Sequence, residues 1–331
     1  DLHSFPTRRS SDLWQTRFDI GSVGYRTLLS GSSDTERSAF ALTETERILL
    51  AESPDLVIAF GSDDVAMAGG VVAAKLGFPV ASADAGLRSY DRREPWEINR
   101  MVIDTVADLH FVSEHSGEYN LINEGISDER LFFAGNLLID SLVALMPEVN
   151  GTDVTSEYGV VPKEFVLALF NRSVSHTGRA DLEMLPPLLR EMSVLTTLLV
   201  SYSPGIETSM KREGLYKTFR GIPGVHMIGE QEHMALLCLL KNASLLLTDT
   251  DEFQSEATVM DTPCLTLSES CARPATIEIG TNVLVGENPE EILGRFHAMI
   301  EAGAHAGRSK IPEKWDGAAA VRIVEALDRV L

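Results

Sequence analysis

The 331-residue chain carries 49 acidic against 28 basic residues, a net charge of −21 at pH 7. That balance repels nucleic-acid phosphates and anionic membrane surfaces alike, so neither is expected as a partner. A composition of 44% hydrophobic and 23% charged residues is that of a soluble globular protein, and the length allows two domains with separate cores. Cys238, Cys264 and Cys271 lack metal-ligand spacing and sit among apolar or small neighbours, as buried thiols of a reducing compartment do. No apolar run approaches bilayer length and no secretory signal pattern is present, which places the protein in the cytoplasm.

Residues 1–13, DLHSFPTRRSSDL, match a reading-frame translation of a common sequencing adapter and are set aside as a scar. On that reading the natural start is missing. From Asp34, a capping residue, Arg37, Ala41, Thr45 and Leu49 recur at helical spacing as far as Ser53-Pro54. Leu56 to Phe60 is an apolar run of strand length, followed by a small-residue helix to Leu76. A strand at 79–83, a helix at 96–107, a strand at 109–112, a helix at 114–124, a strand at 131–134 and a helix at 138–145 follow. Strands apolar throughout, alternating with helices, predict a parallel sheet covered on both faces. Residues 148–163 lack periodicity and read as a link, starting near Pro147. The alternation restarts with strands near 165–169, 197–202, 225–228, 243–248, 263–266 and 282–285. Helices are predicted at 181–192, 210–219, 232–242, 253–260, 289–302 and 318–330. The domains are therefore 14–147 and 164–331, both α/β and doubly wound, with the last helix packing back on the first.

The densest stretch is Ala81 to Arg100, ASADAGLRSYDRREPWEINR. Asp84 ends a strand, Ala85-Gly86 turn the chain, Pro95 suits the first turn of a helix, and Asn99-Arg100 lie one turn inside it. Ligands of open α/β sheets bind at the carboxyl ends of strands, so this loop is a candidate site. His110, His115, His226, His233 and His297 show no metal spacing and read as core or surface residues.

The runs DAGLRSYDRREPWEINR, LFFAGNLLIDSL, LLKNASLLLTDTDEFQSEA and ARPATIEIGTNVLVGENPEEI resemble the non-hydrolysing UDP-N-acetylglucosamine 2-epimerase family, in order from about residue 40 to the end. The resemblance implies two Rossmann-like domains in the glycosyltransferase-B arrangement facing a cleft, the first of them incomplete here. It implies elimination of UDP to a glycal and re-addition after C2 has been reprotonated on the other face. Carboxylates and a histidine move the protons; no metal and no nicotinamide cofactor is needed. A UDP-sugar ligand and a homodimer are the partners it implies.

On the same resemblance, Arg88 matches the arginine of GLR, Asn99 and Arg100 match EINR, and Asn136 matches a GN after a strand. Glu256 matches the second carboxylate of QEE, which in the family holds the ribose, and Arg273 matches the arginine of ERPE. Gly280-Thr281 and Gly286 match a GT…LVG segment. Other positions depart. Ser62 stands where GDT has an aspartate, with Asp63 displaced by one Cα step of ~3.8 Å. Asp84 replaces the glutamate of VEAGLR and keeps its charge. Trp96 replaces the first glutamate of PEEINR. The family's HR pair reads Asn171-Arg172, with His176 five residues beyond Asn171. The phosphate loop DSGG reads Asp249-Thr250-Asp251-Glu252, which sets carboxylates where glycine amides meet an anion; the alternative is that Asp251 and Glu252 point to solvent as helix-start residues favoured by the dipole. Asp84, Asp63 and Arg88 are thus the candidate catalytic residues. Asn99, Arg100, Asn136, Arg172, Thr250, Glu256 and Arg273 are the candidate binding residues. The expectation is a family member whose chemistry is lost or changed. The alternatives are an epimerase of another nucleotide sugar with Asp84 as base, or a non-catalytic ligand- or protein-binding homologue.

Overall fold

A computed structural model describes residues 33–171, 179–251, 253–302 and 310–330. The adapter-like residues 1–13, and with them Arg172, His176 and Glu252, lie outside the described residues. The chain divides into two units, the first comprising 33–143, 272–275 and 312–330 of the described residues, the second 144–271 and 276–311.

The first unit opens with α1 (Asp34–Glu52), capped not by Asp34 but by Ser33, whose hydroxyl accepts from the amide of Glu36. Then come β1 (Val57–Phe60), α2 (Asp64–Leu76), β2 (Val80–Ala83), α3 (Pro95–Val106), β3 (Leu109–Val112), α4 (His115–Asn123), β4 (Leu131–Phe133) and α5 (Leu137–Gly151). Among the described residues the four strands are parallel in the order β1-β2-β3-β4. β2 is buried at every position, as an apolar inner strand should be. β1 pairs with β2 alone among the described residues and leaves Ile58 and Phe60 half exposed. Pro147 does not start a link: it lies inside α5, which runs on to Gly151. A proline there removes one intrahelical donor, which a helix near its end tolerates better than one cut at mid-length.

The second unit continues with β5 (Phe165–Phe170), α6 (Arg179–Met192), β6 (Thr197–Tyr202), α7 (Pro204–Arg212), α8 (Tyr216–Arg220), β7 (Val225–Met227), α9 (His233–Asn242), β8 (Leu245–Thr248), α10 (Gln254–Val259), β9 (Cys264–Thr266), α11 (Ala275–Glu278), β10 (Asn282–Leu284) and α12 (Pro289–Ala302). Its six parallel strands run β10-β9-β8-β5-β6-β7. The single helix expected at 210–219 is two, α7 and α8, because Gly214 takes φ +73° and turns the chain between them. β5 and β8 are neighbours although β6 and β7 separate them in sequence, so the strand order reverses between them. The carboxyl ends of such a pair are where α/β sheets hold ligands. Val166, Ala168, Leu198, Val200, Leu245 and Leu247 line the sheet's buried core beneath α6 and α12.

The final helix, α13 (Ala319–Val330), belongs to the first unit, where Ile323 and Ala326 are buried with Ala81, Phe111 and Ala134. Just before it, Trp315 is 2% exposed and donates its indole N–H to the carbonyl of Ser113 at 2.9 Å. The loop after β2 and α4 approach so closely that a Cβ at Gly86, φ +77°, would sit 2.3 Å from the Gly117 carbonyl oxygen. A Gly86→Ala protein should therefore lose at least about 2 kcal/mol of unfolding free energy, since both the backbone angle and the contact must yield. Chemical denaturation checks this; an unchanged midpoint would show that the loop gives way freely.

Candidate functional site

The loop between β2 and α3 takes its shape from α3. Glu97, Arg100 and Asp104 recur on one helix face and all are buried. Asp104 accepts from the Ser82 hydroxyl at 2.8 Å, the Gly86 amide at 3.0 Å and Arg88 Nη1 at 2.7 Å. Glu97 accepts from the amides of Ser89 at 2.9 Å and Tyr90 at 3.0 Å, and pairs with Arg100 at 3.2 Å. Neither carboxylate drew notice in the sequence. The i, i+3, i+7 spacing of charges on a face that also carries Ile103 was the signal available.

Arg88 is a structural hub. Its guanidinium donates to Asp104, to the carbonyl of Leu87 and, through Nε and Nη2, to both oxygens of Glu124 at 2.8 and 2.7 Å. Burial works against its charge, but the bonds and charges of Glu124 and Asp104 outweigh it and hold Arg88 above its ordinary pKa. It cannot pass a proton at neutral pH. Asn99 donates to the carbonyl of Ser62 at 3.0 Å and to Asp64 at 3.3 Å, tying α3 to the loop after β1. Trp96 is half-buried on the first turn of α3.

Asp63 is spent on local structure. Its Oδ1 accepts from the amides of Val65 at 3.0 Å and Ala66 at 2.8 Å and caps α2.

Asp84 is the other kind of residue. It sits directly after β2 in the left-handed region, φ +59°, with its side chain 10% exposed. Its Oδ2 receives Nη2 of Arg273 at 2.8 Å, and Arg273 Nη1 reaches the Ser113 hydroxyl at 3.5 Å. Arg273 is supplied by the 272–275 segment, which belongs to this unit. Glu114, just past β3, is 3% exposed. One of its oxygens accepts from the Ser116 hydroxyl at 2.7 Å and the Ala275 amide at 3.2 Å. Burial pushes its carboxyl above the usual carboxylate range; Ser116 and Arg273 pull it back, and the charge of Asp84 adds to the rise. Asn136 is fully buried after Gly135 and accepts from the Leu138 amide at 2.9 Å, which orders the start of α5.

In the second unit the candidates gather where β5 and β8 end. The Asn171 amide donates to Asp249 Oδ1 at 2.9 Å across the two strand ends. Thr250 follows, buried, its hydroxyl without a hydrogen-bond partner among the described residues. Gln254 donates to the Thr250 carbonyl at 3.2 Å and to the Thr266 hydroxyl at 3.1 Å, fixing the loop from below. Phe253, φ +63°, is held in a conformation a bulky side chain rarely adopts, directly ahead of α10, on which Glu256 is 5% exposed. Asp251 is half-buried in the same loop.

Arg88→Met should destabilise the protein by about 3 kcal/mol or more, because it strands Asp104 in the interior; a loss under ~1 kcal/mol in urea titration would contradict that. Glu114 has its pKa raised on folding, so the folded state holds the proton more tightly than the unfolded one. The stability this carries is present below the reference value of 4.5 and is lost as pH rises through the raised value. Glu114→Gln removes that loss, so the unfolding midpoint of the variant should gain on the parent as pH rises from about 4.5. Parallel pH profiles would refute it.

A protein-family model described as UDP-N-acetylglucosamine 2-epimerase matches residues 7–328. The UDP-N-acetylglucosamine 2-epimerase of Methanocaldococcus jannaschii is 30% identical over 281 residues, 83% of this chain and 77% of that protein. A crystal structure of the M. jannaschii enzyme in complex with UDP-GlcNAc and UDP has a TM-score of 0.85 and 27% identity, covering 95% of this chain and 88% of that one. The UDP-2,3-diacetamido-2,3-dideoxy-D-glucuronate 2-epimerase of Pseudomonas aeruginosa is 27% identical over 280 residues, 83% of this chain and 76% of that protein.

Proposed function

The chain belongs to the UDP-N-acetylglucosamine 2-epimerase family, and on that premise we propose that it binds a UDP-sugar without interconverting UDP-GlcNAc and UDP-ManNAc at its relatives' rate. The observation that carries this is the placement of Asp63. Where the family has a strand-end aspartate this chain has Ser62, and the neighbouring carboxylate, the one candidate replacement, is bonded to two amides of α2. It is turned to capping a helix, not to a reacting carbon. Trp96 and Asn171, at two further acid–base positions of the family, cannot carry a proton at neutral pH.

What remains is a binding apparatus with one base. In the first unit Asp84, paired with Arg273 at 2.8 Å, is the carboxylate that meets the glycosyl part of a ligand. Taken by itself, the second unit offers Thr250 and Glu256 to a diphosphate and a ribose, where the reversal of strand order favours a ligand. General acid–base groups contribute ~10²–10⁴-fold each, so losing several removes most of the acceleration even though their effects do not add.

A second reading has one observation in its favour. The Asp84–Arg273 pair is intact at 2.8 Å, and the P. aeruginosa relative bears the name of an epimerase of another nucleotide sugar. Asp84 would then act as base on a different UDP-sugar.

Incubation with UDP-GlcNAc in deuterated water tests both. The expected result is UDP binding by calorimetry with neither UDP-ManNAc nor deuterium at C2; turnover within about a hundredfold of the M. jannaschii enzyme would refute the proposal. Deuterium entering C2 of another UDP-sugar would establish the second reading. Asp251→Asn should tighten UDP binding about fivefold, because a carboxylate ~5 Å from a phosphate repels it by roughly 1 kcal/mol. Unchanged affinity would mean that Asp251 faces away from the diphosphate.

A further inference from the structure

At the end of β3, Glu114 is a buried carboxylate only half of whose hydrogen-bonding capacity is met among the described residues. Its Oε1 is fully used by Ser116 and Ala275. Its Oε2 is buried with no hydrogen-bond partner among the described residues. Buried polar atoms are nearly always paired, and an orphaned one in a folded protein marks strain or a missing partner. Strain is not the reason here. Glu114 has extended backbone angles, φ −156° and ψ 156°, and good geometry on its other oxygen.

The surroundings say what kind of partner is missing. Arg273, bonded to Asp84, also reaches the hydroxyl of Ser113 at 3.5 Å, and Ala275, two residues after Arg273, donates to Glu114, so Glu114 belongs to the same cluster as the Asp84–Arg273 pair. An anionic partner would be repelled by Asp84 and a metal would compete with Arg273. A neutral group with a hydroxyl or an amide suits the position, because it satisfies the oxygen without adding charge.

We propose that Glu114 is a specificity-determining residue, whose Oε2 exchanges a hydrogen bond with a hydroxyl or acetamido group of the glycosyl part of a bound nucleotide sugar. The assignment rests on the reading that Asp84 meets that glycosyl part. It goes further by giving the sugar a partner, at a position that matches none of the acid–base groups lost from this chain. No covalent step is involved. Ala275 is held by the same side chain, so Glu114 couples recognition of the sugar to the placement of Arg273.

Calorimetric titration of UDP and of UDP-GlcNAc into the full chain and into Glu114→Ala and Glu114→Gln tests this. Glu114→Ala should weaken UDP-GlcNAc about tenfold or more, the worth of one buried hydrogen bond, while UDP, which has no sugar to read, stays within about twofold. Glu114→Gln, whose amide can still pair at the Oε2 position, should stay within about threefold for both. If Glu114→Ala fails to fold, Glu114→Met fills the same volume without a polar end and enters the same comparison. Equal weakening of UDP and UDP-GlcNAc, or no weakening of either, overturns the assignment and leaves the binding reading standing. If the parent protein binds neither, the binding reading fails and the assignment falls with it.

Discussion

One buried carboxylate organises the first unit. Asp104 projects from the last turn of α3 and receives a strand hydroxyl, a loop amide and a guanidinium within 3.0 Å. Each donor comes from a different part of the β2–α3 connection, so a single side chain fixes where that connection starts, turns and re-enters the helix. A buried charge with fewer donors would be expensive. With Arg88 neutralising it and Glu124 balancing Arg88 in turn, the arrangement is closed, and Asp84 is left at its rim in a conformation that a freer loop would not keep.

The same economy decides which carboxylates are available for chemistry. Asp63 is consumed by a helix start, Glu97 by two loop amides, Asp104 and Glu124 by Arg88. Asp84 and Glu114 are held differently. The first is paired with an arginine at the rim of the buried cluster, and the second keeps one oxygen unsatisfied. The two acids are differently housed: Asp84 receives an Arg273 guanidinium nitrogen at 2.8 Å, while burial holds the Glu114 carboxyl above the usual carboxylate range. That difference in surroundings is what distinguishes a recognising pair from two redundant charges.

Much of the fold was legible because the strands are mostly apolar and the helices start and stop on readable signals. Pro95 opens α3 and Gly77 closes α2 in the left-handed region. The misreadings were local. Gly214 splits a helix that periodicity alone runs together, and Pro147 is absorbed into one that composition says should have ended. The short α11 gave no periodic signal at all. At the site, the candidate residues were visible as charged types at strand ends, but their employment was not. Nothing in Asp63 or Arg88 as letters says that one caps a helix and the other is enclosed by acids. Glu114 escaped notice because a lone glutamate before a helix reads as an ordinary solvated start, and its partner Ala275 is distant in sequence.

The meeting of Gly86 and Gly117 has a consequence for how this chain can vary. A side chain at either would strike the backbone of the opposite segment, Gly117 oxygen at 2.3 Å in one direction and Ala85 oxygen at 2.6 Å in the other. Ordinary neighbours in a core can trade bulk, one shrinking as the other grows. This pair has nothing left to give up on either side, so the two positions are barred from compensating each other, and the loop that bears Asp84 inherits its fixed distance from α4 from the absence of any atom that could be exchanged.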